Sequence, residues 1–243
     1  MSNKIALSWS GGKDACLALH YLMNSNEYEI DHLHTVIGGE TNRVGMHGIK
    51  KELIDAQAAA LGIPLKISYL PSDKSNISYE QVMLEYASYC KSKNITTIAF
   101  GDIFLEDLKN YREEKMAEVD MECLFPLWKK DTAEVINQFL ELGYKTKICA
   151  GDAAKIRKDL IGKSITHELL RKLPANVDPC GENGEFHTFV YDGPIFQKAV
   201  KINSNSTQSH FYEYQIEEGE ELKKVKSEFY FAELEFTNHP NNS

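Results

Sequence analysis

The first two dozen residues leave this chain little freedom. Lys4-Ile5-Ala6-Leu7 reads as a short buried strand, and Cys16, Leu17, Ala18, Leu19, Leu22 and Met23 recur with the period of a helix. Between them stands Ser8-Trp9-Ser10-Gly11-Gly12-Lys13-Asp14-Ala15. A strand that turns through glycines into a helix gathers free backbone N–H groups and the positive end of the helix dipole at one point. Gly11 and Gly12 let an anion approach the backbone, Lys13 brings a full positive charge, and Ser8 and Ser10 bring hydroxyls. The bland alternative is a plain turn with two glycines. The agreement of strand, loop and helix argues against it.

The two common phosphate fingerprints, G-x-x-x-x-G-K-[ST] and G-x-G-x-x-G, are both absent after this strand. What stands there, S-G-G-K-D, resembles the PP-loop of the ATP pyrophosphatases. That resemblance implies a loop that holds the pyrophosphate leaving ATP. Ala15 departs from the family pattern, which has Ser or Thr there, and removes one hydroxyl contact.

Composition narrows the setting. A chain of 243 residues with 42% hydrophobic and 26% charged residues holds an ordinary globular core in one large or two modest domains. No apolar run approaches the ~20 residues that span a bilayer. The chain enters its first strand without a signal-peptide pattern, so the cytoplasm is expected. The charge of −9 argues against a large nucleic-acid footprint. Five cysteines, none spaced C-x-x-C, suit a reducing compartment without a disulfide framework. Cys16, Cys90 and Cys149 fall in apolar patterns and read as core residues, whereas Cys180 is either a reactive thiol or a buried inert one.

Residues 29–37 read as a second strand, with His34 near its carboxyl end, where open α/β sheets bind ligands. His34 is then a cofactor contact or a merely hydrogen-bonded histidine. A helix follows Met46-His47-Gly48, with Leu53, Ile54, Gln57, Ala58 and Leu61 on one side and Gly62 and Pro64 as its stop. Residues 65–70 form a third strand, and Ser78 with Gln81 reads as the capping box of the next helix. The uncharged run 95–100 is a doubly buried strand ending at Gly101-Asp102. Asp102 either faces the cleft or caps the helix over 105–119, which carries Arg112 and Glu113.

This alternation predicts an α/β fold: a mostly parallel sheet of about five strands with helices on both faces, followed by a smaller C-terminal α+β domain. A boundary near Pro126 divides 1–126, which binds nucleotide, from 127–236, which binds substrate; 237–243 is expected to be a disordered tail. Asp131 with Glu134 starts a helix that Gly143 stops, 145–150 is a strand, and 153–173 reads as helical. Asn183-Gly184 marks a tight turn into a strand over 185–191. With period two, Glu185 and His187 share a face with Phe189, and Thr188 points the other way. Further on, 198–202 is a short strand, 203–209 is turn-rich, and 211–216 and 229–236 are antiparallel strands.

The S-G-G-K-D loop, Met46-His47-Gly48, Gly101-Asp102 with Arg112 and Glu113, and above all Gly181-Glu182-Asn183-Gly184-Glu185-Phe186-His187-Thr188-Phe189 resemble the diphthine–ammonia ligase family. The likeness runs from about residue 4 to residue 196 and includes the family's uncharacterised ATP-binding relatives. It implies a PP-loop fold of the adenine nucleotide alpha hydrolase kind and a two-step reaction with ATP and Mg²⁺. ATP adenylates a carboxylate and releases pyrophosphate; ammonia then displaces AMP to give an amide.

The resemblance assigns Ser8, Ser10, Gly11, Gly12, Lys13, Asp14, His34 and Gly101 to the nucleotide, with Asp14 orienting Lys13 or a Mg²⁺ water. His47, Arg112, Glu182, Asn183, Gly184, Glu185 and Thr188 fall to the acceptor. Lys13, Asp102, Glu185 and His187 fall to catalysis, and no residue to a metal. In the resembled family the acceptor is a modified histidine on a translation elongation factor. Pro179-Cys180 resembles a subgroup outside the organisms that make diphthamide, which leaves the carboxylate acceptor open, a protein side chain among the choices. An oligomer is compatible with all of this, a membrane is not. Two rival readings remain: another PP-loop enzyme, such as a tRNA-modifying one, and a non-catalytic module that binds adenine nucleotides.

Overall fold

A computed structural model describes residues 2–73, 75–218 and 221–237 of the chain. Strands β1 (Asn3–Ser8), β2 (Tyr28–Gly38), β3 (Leu65–Leu70), β4 (Thr97–Ala99) and β5 (Glu122–Leu124) form a parallel sheet in the order β3-β2-β1-β4-β5. Helices α1 (Lys13–Asn24), α2 (Lys51–Leu61), α3 (Asn76–Ser92) and α4 (Glu106–Ala117) connect them in turn. Right-handed crossovers in this order put α1 and α2 on one face and α3 and α4 on the other. Burial agrees. Ile5 and Leu7 of β1 pack with Leu17, Leu53 and Ile54, whereas Ala6, between them, packs with Tyr86, Cys90 and Met116. The strand order reverses between β1 and β4, which opens a crevice at their carboxyl ends, where α1 begins.

The chain then forms α5 (Thr132–Glu141), β6 (Lys145–Asp152), a 3-10 turn at Lys158–Leu160, the short α6 (His167–Leu170), β7 (Phe186–Asp192), β8 (Ile202–Glu218) and β9 (Glu221–Phe236). Strands β6 to β9 make an antiparallel sheet in the order β7-β6-β9-β8. Phe139, Ile148, Phe189 and Val190 of this part join the same apolar cluster as Leu7, Leu17 and Ile54. One core therefore runs between the two sheets. Among the described residues no helix is long and apolar enough to cross a membrane.

Several local expectations are corrected. The helical pattern over 153–173 collapses to two short turns. Gly162 sits at φ +80°, outside the helical range, and the flanking backbone bonds to β6 through Ile148 N to Lys163 O and Ile165 N to Thr146 O, both 3.0 Å. Residues 203–209 are extended rather than turned, because pairing with β9 overrides their polar composition, apart from a bulge between Ser204 and Thr207. Of 198–202, only Ile202 is strand. The cap of α3 is Ser75, whose hydroxyl accepts from Ser78 N, not Ser78 itself. Asp131 caps α5 by accepting from Glu134 N, as its spacing predicts. The expected tail lies outside the described residues from 238 onward; Thr237 N still bonds to Lys201 O.

Candidate active site

A cavity of about 880 Å³ opens where the crevice of the parallel sheet meets β7 and the turn before it. The glycine turn forms one wall. Gly11 takes φ +79°, and its carbonyl accepts from Val190 N at 2.9 Å and from Gln57 Nε2 at 3.0 Å. Gln57 is fully buried, accepts from Trp9 Nε1 at 3.0 Å and donates also to Val190 O. The turn is thus fastened from behind, with Gly11 facing β7. Gly12 precedes α1 with no side chain to cap it, and Thr188 supplies the cap from β7: its Oγ1 accepts from Lys13 N at 3.0 Å. A Cβ on Gly101 would stand 2.8 Å from Ala15 N, so the end of β4 and the first turn of α1 touch backbone to backbone.

The charged groups are mostly paired. Lys13 Nζ lies 2.7 and 2.8 Å from the two Asp14 oxygens and 5.8 Å from the centre of the Phe186 ring. Burial works against its charge, but Asp14, with Cys180 and Glu182 behind it, outweighs burial and holds the ammonium above its ordinary pKa. Burial raises Asp14. Asp102 accepts from Arg112 Nε at 2.9 Å, and the guanidinium lies 4.4 Å over Phe100. Of its two expected roles Asp102 takes the cleft, because α4 begins after Leu105 without a side-chain cap.

Glu182 is different. Its Oε1 accepts from Ile103 N at 2.8 Å and Phe104 N at 3.4 Å, tying the turn before β7 to the loop after β4. Burial, then the nearby Asp14 charge, push it up to about 7 against the pull of those amides and Lys13. Asp178 shapes this turn by accepting from Cys180 N at 2.8 Å and Glu182 N at 3.2 Å, while Thr132 Oγ1 donates to it at 2.6 Å.

Two histidines lining the cavity, His47 and His187, pack against each other with ring centres 4.5 Å apart. Burial holds His187 down to about 4, with Lys13 adding; burial, His187 and Lys13 hold His47 well below its usual value. Both shifts favour the uncharged ring. Cys180 is buried, its thiol donates to Thr132 O at 3.2 Å, and burial pushes its pKa up, which suits an inert thiol.

The cavity therefore brings together Ser8, Ser10, Lys13, Asp14, His47, Gly101, Asp102, Arg112, Glu182, Asn183, Gly184, His187 and Thr188, with Gly12 behind Ser10 and His47. Three expected residues are elsewhere. Gly11 faces β7. His34 points onto α3, stacks on Tyr86 with ring centres 3.4 Å apart and meets Ser68 Oγ at 2.9 Å. Glu185 is buried in the turn, where its Oε1 accepts from Asp178 N and Asn183 Nδ2, both at 3.2 Å. Glu185 precedes β7, which begins at Phe186, so the strand's alternation does not govern it; His187 and Thr188, neighbours on β7, both line the cavity. Gln57 and Asp178 went unassigned. A glutamine on the apolar side of a helix and an aspartate before Pro179 were the signals. Among the described residues no group of three or more His, Cys, Asp or Glu could hold a metal ion.

Residues 3–122 match the family model for the diphthamide synthase N-terminal domain, and 131–222 the one for the diphthamide synthase C-terminal domain. The chain is 24% identical over 233 residues to the diphthine–ammonia ligase of Danio rerio, covering 83% of this chain and 87% of that one. It is 25% identical to the mouse protein of that name, covering 85% of each. The namesake from Schizosaccharomyces pombe is 23% identical over 83% of this chain, which spans only 36% of that longer protein. Among solved structures, the U34-tRNA thiolase NcsA of Methanococcus maripaludis overlaps 59% of each chain at 20% identity with a TM-score of 0.36.

Proposed function

Because this chain belongs to the diphthamide synthase family through both of its halves, we propose that it is an ATP-dependent ligase that turns a substrate carboxylate into an amide with ammonia. The observation that carries the reading is the shared cavity: the glycine turn with Lys13 and the turn holding Glu182 face the same space. A carboxylate is a poor electrophile. Attack of its oxygen on the α-phosphorus of ATP forms an acyl-adenylate and expels pyrophosphate. Negative charge grows on the departing phosphates, where the Ser10 hydroxyl and the ammonium of Lys13 offer donors. Asp14 holds Lys13 in place until the phosphates compete for it. Ammonia then adds to the acyl carbon, and AMP leaves.

Arg112, already neutralised by Asp102, makes with it a polar wall rather than a free cation. The neutral His47 and His187 accept hydrogen bonds from the acceptor. Asp14 and Asp102 are committed to cations, so these side chains do not make a cage for Mg²⁺; the ion fits as the counter-ion that the nucleotide carries on its own phosphates. The acceptor is a carboxylate on a larger molecule, diphthine being the one named for the relatives. Five free cysteines suit work in the cytoplasm.

Pyrophosphate exchange into ATP, dependent on a diphthine-bearing elongation factor, tests this. Lys13→Met is expected to lower the exchange by ~100-fold or more. An exchange rate unmoved by that substitution would remove the glycine turn from the reaction.

A further inference from the structure

Three carboxylates line the cavity, and two are taken: both Asp14 oxygens by Lys13 and Asp102 by Arg112. Glu182 alone is unpaired with a cation at salt-bridge distance among them. Two backbone amides fix its Oε1, the residue lines the cavity, and Asp178 fixes the turn beneath it. Resting on the ligase reading, we propose that Glu182 is a catalytic base that takes up ammonium and removes its proton before the second step.

The chemistry requires such a group. At neutral pH the nitrogen source is almost entirely ammonium, which has no lone pair to attack with. An unpaired carboxylate binds that cation, and one whose proton affinity lies near the working pH also accepts its proton. The pKa of about 7 suits Glu182 to both. Asp14 and Lys13 are the charged neighbours that set this affinity, one raising it and one lowering it. The two histidines are too weakly basic for the task.

The step balances. Ammonium gives one proton to Glu182 Oε2 and becomes ammonia. Its lone pair forms the C–N bond at the acyl carbon, the C–O bond to AMP breaks, and AMP departs with that electron pair. The positively charged nitrogen of the adduct loses a second proton to the departing phosphate, and Glu182 returns its own to solvent.

Three measurements on Glu182→Gln test the proposal. Amide formation from ammonium chloride is expected to fall by ~100-fold relative to pyrophosphate exchange measured in the same variant. Hydroxylamine, which is already neutral at pH 7, is expected to restore acyl transfer as the hydroxamate. By difference infrared spectroscopy, which needs no acceptor, the parent is expected to show a carboxyl group titrating near neutrality. Ammonium chloride should shift its midpoint downward, and the group should be missing from the variant. Ammonia-dependent amide formation that survives Glu182→Gln, or a carboxyl titration indifferent to both ammonium and the substitution, overturns it. Absence of pyrophosphate exchange in the parent would instead overturn the ligase reading and leave the infrared result to decide on Glu182.

Discussion

The hydroxyl of Thr188 accepts the backbone N–H of Lys13 at 3.0 Å, although 175 residues separate them. A side chain of the antiparallel sheet thus caps the helix whose start forms one wall of the cavity. Thr188→Val removes the cap at nearly constant volume. The expected cost is about 1 kcal/mol of stability and a severalfold rise in the KM for ATP, and Thr188→Ser should restore both. Calorimetric titration with a non-hydrolysable ATP analogue checks it; unchanged affinity in the valine variant would mean that the cap does not hold the turn.

Gln57 fastens the same turn from the other side. Gln57→Leu leaves the Trp9 indole N–H and the Val190 carbonyl without this partner in a dry core, and each orphaned group costs about 1–3 kcal/mol. A large drop in the urea midpoint is expected. Gln57→Glu should be worse still, since it replaces the donating nitrogen by a second acceptor.

Glu185 looks catalytic in the sequence and is buried outside the cavity in the structure. Glu185→Gln is expected to leave both partial reactions within a few fold of the parent. Selective loss of amide formation, measured apart from pyrophosphate release, would return Glu185 to the chemistry.

Acid should loosen the parallel sheet at His34. Burial, with His32 and Lys66 adding, holds this ring down to about 3, against 6.5 for an ordinary histidine. The unfolded chain therefore binds a proton that the folded one refuses. The contribution of His34 is complete above pH 6.5 and is lost as the pH falls towards 3, at up to about 1.4 kcal/mol per pH unit. Denaturant midpoints measured across that window should flatten in His34→Phe. Equal slopes in the two proteins would assign the acid sensitivity to other groups.

The sequence carries the parallel half of the fold well because its signals are local. Strand β3 falls at 65–70 as read, Gly62 ends α2 at φ +71°, and Asp131 caps α5. The antiparallel half was less legible because pairing decides it. The backbone near Gly162 and the polar run 203–209 take their shape from β6 and β9, which no local pattern announces. The site divides in the same way. Lys13, Asp102 and His187 could be placed by motif and strand ends. Which way His34, Glu185 and Gly11 face depends on the docking of α3, the start of β7 and the bond from Val190 N to the Gly11 carbonyl.

The apolar cluster does not stop between the sheets. Melting either half would expose apolar surface of the other, so heating should give a single endotherm. Any ligand that binds against α1 should therefore steady the hairpin of β8 and β9 as well, and a chain severed near residue 128 would yield two pieces with raw greasy faces instead of two working modules.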